Sequence, residues 1–90
     1  MDCYLYIGGR RVKVKASLEG VNEAFKEDPL KPLWLVRGYV EGKLGRVKGA
    51  RFLGVSFRDG VFRLRYLVEA ERRAATVEIA YILAKGRVRA

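Results

Sequence analysis

The sequence predicts an α+β fold, an antiparallel sheet with helices packed on one face in the order β-β-α-β-β-β-α, forming one domain over residues 1–90. Three observations lead there. The dipeptides Gly8-Gly9 and Asp59-Gly60 each sit between stretches that alternate apolar and polar residues, the pattern of two-residue hairpins. Ser17 opens a segment whose apolar residues recur at helical spacing. The last segment, residues 69–86, combines alanines with charged helix formers.

The first hairpin follows from its turn. A type I′ loop needs positive φ at both central positions, which Gly8 and Gly9 supply without a Cβ penalty. That loop sets Tyr6 opposite Arg11, Leu5 opposite Val12, Tyr4 opposite Lys13 and Cys3 opposite Val14. Side chains alternate across a strand, so Cys3, Leu5, Ile7, Val12 and Val14 form an apolar face, and Tyr4, Tyr6, Arg11, Lys13 and Lys15 form an aromatic, cationic one. Ser17 then caps a helix carrying Leu18, Val21 and Phe25 on one side, and Pro29 and Pro32 end it. Residues 33–40 read as a strand, with Trp34, Val36 and Val40 on one side and Leu35, Arg37 and Tyr39 on the other; Trp34 is expected in the core. Gly42, Gly45 and Gly49, interleaved with Lys43, Arg46 and Lys48, suggest a basic, extended arm.

The Asp59-Gly60 turn defines the second hairpin. It places Phe57 opposite Phe62, Val55 opposite Leu64 and Leu53 opposite Tyr66 on an apolar face. The reverse face sets Ser56 against Arg63, Gly54 against Arg65 and Phe52 against Leu67, a shallow, positively charged trough. Residues 69–85 alternate as well, through Val77, Ile79, Tyr81 and Leu83, but their length, early acids and the closing Lys85-Gly86 predict a helix.

Charge and composition narrow the function classes. The chain holds 19 Lys and Arg against 10 Asp and Glu, a net of +9, which points to an anionic partner. The charge is uneven: residues 17–28 carry a net of −3, so the remainder carries +12. No apolar run reaches membrane-spanning length and the first residues lack a signal-peptide pattern, so a cytoplasmic location is expected. Cys3 is the only cysteine and reads as a small buried hydrophobe. Absence of His and Gln, with a single Asn at 22, suggests a thermophilic, archaeal source. It also argues against base-specific readout, because bidentate adenine recognition uses Asn or Gln.

Catalysis has little to build on. Without His there is no Ser-His-Asp or Cys-His system, and no clustered ligands suggest a metal. Residues 38–44 superficially suggest a phosphate loop, but the glycines are one residue too close and no Ser or Thr follows Lys43. The expectation is therefore a non-enzyme with no cofactor and no metal.

Sequence-tolerant binding of single strands needs a basic surface for phosphates and aromatic faces for bases. Phosphate neutralisation is assigned to Arg11, Lys13, Lys15, Arg37, Lys43, Arg46, Lys48, Arg51, Arg63 and Arg65, and stacking to Tyr4, Tyr6, Tyr39 and Phe52. A solvated basic face, with Tyr paired to Arg or Lys across strands for stability alone, is the structural alternative. Neither expected helix is basic along one face, which disfavours a major-groove reader of duplex.

The short basic α+β chain, with Tyr4, Tyr6, Arg11 and Lys13 in a strand pair, the Gly-rich stretch at 42–52 and no histidine, resembles the archaeal ThermoDBP-related single-stranded DNA-binding proteins. The resemblance implies sequence-tolerant single-stranded DNA binding by a self-associating domain outside the OB-fold class. The alternative is an RNA-binding or protein-interaction subunit of an archaeal ribonucleoprotein assembly.

Overall fold

The computed structural model describes residues 2–82. Their order is β1 (Asp2–Ile7), β2 (Arg10–Val14), α1 (Leu18–Glu27), α2 (Lys31–Leu35), α3 (Arg37–Leu44), β3 (Val47–Arg58), β4 (Val61–Ala70) and β5 (Ala74–Ile82). The strands form one antiparallel sheet in the order β2-β1-β5-β4-β3, with the helices on one face, so the α+β class holds.

Both hairpin turns form as their residue types require. Gly8 and Gly9 have φ of 59° and 88°, and Asp59 and Gly60 have 55° and 75°. The β1–β2 register is the expected one, from Cys3 opposite Val14 to Ile7 opposite Arg10. Ser17 caps α1, its hydroxyl accepting from the Gly20 N–H at 2.9 Å.

Two segments depart from the sequence reading. Residues 33–40 are helical, not extended. Leu33, Val36, Val40 and Leu44 are all buried at spacings of three and four, and Pro32 sits in the first turn of α2, where its missing N–H costs nothing. Trp34 consequently points away from the core and is 41% exposed. The expected basic arm is instead the end of α3, a tight turn at Gly45 and the start of β3. Gly45 ends α3 with φ 86°, and a Cβ there would lie 3.1 Å from the Glu71 Cβ.

The second departure is β5, expected as a helix. It is a strand paired on both sides, with β1 and with β4. Val77, Ile79 and Tyr81 are buried on the helix-covered side, while Thr76 and Glu78 point the other way. A ladder with β4 along the whole strand, a second with β1 over Val77–Ile82 and a β-branched, aromatic alternation outweigh the helix propensity of its alanines. Residues 83–85 of the expected helix lie outside the described residues.

The core lies between this sheet and the helices. Leu5, Ile7, Leu64, Tyr66, Val68, Val77, Ile79 and Tyr81 from the sheet meet Val21, Leu33, Val36, Val40 and Leu44 from the helices. Two tyrosine hydroxyls anchor the layers: Tyr66 donates to the Pro29 carbonyl at 2.5 Å and Tyr81 to the Ala16 carbonyl at 2.8 Å. Burial pushes both phenols well above their ordinary range, so they stay neutral donors. Cys3 is buried, and burial raises its thiol as well.

Candidate nucleic-acid interface

The sheet face away from the helices is uncovered in the described residues, and register shows what it carries. One row across the strands runs Lys13, Tyr4, Ala80, Arg63, Ser56. The next runs Arg11, Tyr6, Glu78, Arg65, Gly54. A third sets Thr76, Leu67 and Arg51 side by side. The two hairpins, far apart in sequence, are thus joined through β5 with their cationic residues on a common face. Central pairing of β5 is what makes this so, since its own parity links β1 to β4.

Local geometry on this face is specific. The Arg11 guanidinium lies over the Tyr4 ring, 4.9 Å from its centroid, so one ring face already carries a cation. Tyr4 and Tyr6 are half-buried. Ser56, Phe57, Arg58, Arg63, Arg65 and Glu78 border a hollow of about 450 Å³, where small residues of β3 face the long arginines of β4 as expected and Phe57 adds an apolar rim. Glu78 lines it as well and pairs with Arg63 at 3.5 Å and Arg65 at 3.1 Å.

Two residues of this face were not among the sequence candidates. Arg58 shares the parity of Ser56 and opposes Val61 at the rim. Glu78 was hidden because its segment was read as a helix; a strand reading of the same alternation would have set it on the side opposite Val77, Ile79 and Tyr81, and pairing with both β1 and β4 places it between Tyr6 and Arg65.

Other candidates fall elsewhere. Phe52 is not a stacking residue: register shifts between Phe52 and Gly54, and Phe52 opposes Tyr66 on the core side. Its ring packs edge-on against Phe25 at 5.4 Å and tilted against Tyr66 at 5.5 Å. The extra residue, Leu53, is a bulge, with Gly54 at φ 153°. The hairpin register is as expected only from Gly54 to the turn. Arg37, Tyr39 and Lys43 belong to α3, in the helical layer, and are not part of the sheet face. Arg37 pairs with Glu41 at 3.2 Å and lies 5.8 Å from the Trp34 ring centroid. Tyr39 lines a shallow hollow with Leu35 and Gly38. Arg46 is in the α3–β3 turn, Lys48 falls at a register shift of β3, and Lys15 is the first residue after β2; all three are exposed.

Of the fourteen candidates, the structure therefore gathers Tyr4, Tyr6, Arg11, Lys13, Arg51, Arg63 and Arg65 on one face. Among the described residues no three His, Cys, Asp or Glu side chains come together as a metal site would require. None of the described helices is long and apolar enough to cross a membrane. Comparison with protein-family models, with curated proteins and with solved structures gives no match.

Proposed function

We propose that the chain is a non-enzymatic, sequence-tolerant single-stranded nucleic-acid-binding domain whose ligand lies across the uncovered sheet face. The observation that carries this is the convergence of Tyr4 and Tyr6 with Arg11, Lys13, Arg63 and Arg65 on one surface, from hairpins far apart in the sequence. Phosphates meet the cations, which form two rows, while bases stack on tyrosine rings or on guanidinium planes such as that of Arg11. The small side chains of the two rows, Ala80, Gly54 and Ser56, stand beside the long arginines and leave room for a strand to lie across them. A preference for DNA over RNA rests on the resemblance to the archaeal ThermoDBP-related proteins, whereas the archaeal source rests on the amide-poor, histidine-free composition and the cytoplasmic setting on the sequence pattern of the first residues and the absence of a membrane-length apolar run.

Self-association belongs to the same reading. β3 is an outer strand of 12 residues whose far edge is unpaired among the described residues, and Leu53, Val55 and Phe57 on it are exposed, Phe57 by 65%. A second copy pairing there would extend the sheet and with it the basic face.

Fluorescence anisotropy with labelled single-stranded DNA, single-stranded RNA and duplex of equal length tests the proposal. Affinity should fall with salt at a log-log slope of about −0.7 per neutralised phosphate. The double variant Tyr4→Ala, Tyr6→Ala should weaken binding while leaving that slope unchanged, each lost stack costing roughly 1–3 kcal/mol. No binding of any oligonucleotide at low salt would defeat the proposal and favour a protein-interaction subunit.

A further inference from the structure

At the hairpin end of the sheet, on the helix side and away from the face just described, three cations from separate elements converge. Arg10 begins β2, Lys43 lies in the last turn of α3, and Arg73 ends the turn between β4 and β5. Together with Ile7 and Val12 they line a pocket of about 180 Å³. The Arg73 guanidinium reaches back over the first hairpin, its two terminal nitrogens 3.5 and 3.8 Å from where a Cβ on Gly8 would stand.

Among the described residues, no carboxylate lines this pocket. The acids closest in sequence are committed elsewhere: Glu41 accepts from the Val47 N–H and pairs with Arg37, and Glu71 accepts from the Arg46 N–H. Among the described residues, Arg10, Lys43 and Arg73 make no side-chain hydrogen bond or ion pair. Three uncompensated cations held around one small cavity repel each other, and nothing in the core calls for them there. An anion of matching charge relieves that repulsion.

We propose that this pocket binds a terminal phosphate group, a phosphomonoester or inorganic phosphate. Three positive charges match the near-dianion of a monoester better than the single charge of a strand diester. Two guanidiniums supply forked donors and the lysine a point charge, the usual division of labour at a phosphate. The apolar wall of Ile7 and Val12 accepts the carbon side of the ester. The site goes beyond the sheet-face reading, because free phosphate can fill it with no nucleic acid present.

Calorimetric titration of the intact chain with inorganic phosphate, with phenyl phosphate and with the diester dimethyl phosphate, at constant ionic strength in chloride, tests this. The two monoanion-to-dianion ligands should bind and the diester should not. Arg73→Ala should lower phosphate affinity roughly ten- to hundred-fold, as loss of a charge-assisted hydrogen bond does. Arg10→Gln and Lys43→Gln, at exposed side chains, should act in the same direction and keep the test valid if Arg73→Ala disturbs its turn. A second arm compares 5′-phosphorylated with 5′-hydroxyl oligonucleotides: tighter binding of the former that vanishes in the triple variant, Arg10→Gln with Lys43→Gln and Arg73→Ala, identifies a strand end as the source, and equal binding identifies a small phosphate ester. Absence of phosphate binding, or binding equal in the native chain and the triple variant, overturns the site. Either result leaves the sheet-face reading to its own salt titration.

Discussion

Glu78 is the acid placed among the arginines of the sheet face, and its replacement gives a sharp test of that face. In Glu78→Gln the side chain keeps its size, while Arg63 and Arg65, now 3.5 and 3.1 Å from a carboxylate, lose their counter-ion. The pairs are partly exposed and contribute little to stability, so folding should be nearly unaffected. A phosphate approaching to about 7 Å of Glu78 meets repulsion of roughly 1 kcal/mol at an effective dielectric intermediate between water and protein surface, so its removal should tighten binding about five-fold at low salt. If four phosphates are neutralised in the native chain, the salt slope is about −2.8, and a four-fold rise in salt costs roughly 50-fold in affinity. One further phosphate in the variant steepens the slope to about −3.5 and the loss to roughly 130-fold. Anisotropy titrations at several salt concentrations read both quantities. Unchanged or weaker binding by a variant whose thermal unfolding matches the native chain would refute placement of the ligand over Arg63 and Arg65.

Three predictions concern the scaffold. Tyr66→Phe and Tyr81→Phe each remove one hydroxyl that holds the helical layer, leaving the Pro29 or Ala16 carbonyl without its donor; each should cost about 1–2 kcal/mol in denaturant unfolding with the m-value unchanged. Gly45→Ala places a Cβ 3.1 Å from Glu71 at φ 86° and should destabilise by about 2 kcal/mol, lowering Tm by roughly 10 °C. The Val47 N–H, and secondarily Arg37, hold the Glu41 carboxyl below the usual Glu range. A carboxyl lowered in the folded state contributes stability above its unfolded value and loses it as pH falls through the lowered one, so Glu41→Gln should flatten the acid limb of a stability-versus-pH curve and leave neutral-to-alkaline differences constant.

Much of the fold was legible wherever geometry is local. Gly8-Gly9 and Asp59-Gly60 dictate their turns by φ alone, and a two-residue loop then dictates register, so both hairpins and half the sheet face could be read from adjacent residues. Ser17 and the Leu18, Val21, Phe25 spacing dictate α1 in the same local way. Leu53 shows where locality ends: a single bulged residue reverses parity, and nothing in the sequence around Phe52 distinguishes a stacking ring from one packed against Phe25.

The alternation of turn residues and apolar side chains, the basic excess and the tyrosine-arginine parity were determined by the sequence itself, because each acts over a few bonds or through composition. The state of residues 33–44 and 74–82 was decided by tertiary structure. Both segments hold apolar residues compatible with either period, and only the presence of two open strand edges for β5, and of a sheet for Val36, Val40 and Leu44 to cover, selects one. That same long-range pairing joins the two cationic hairpins and sets Glu78 between their arginines, because a central strand can be recognised only once both its neighbours exist.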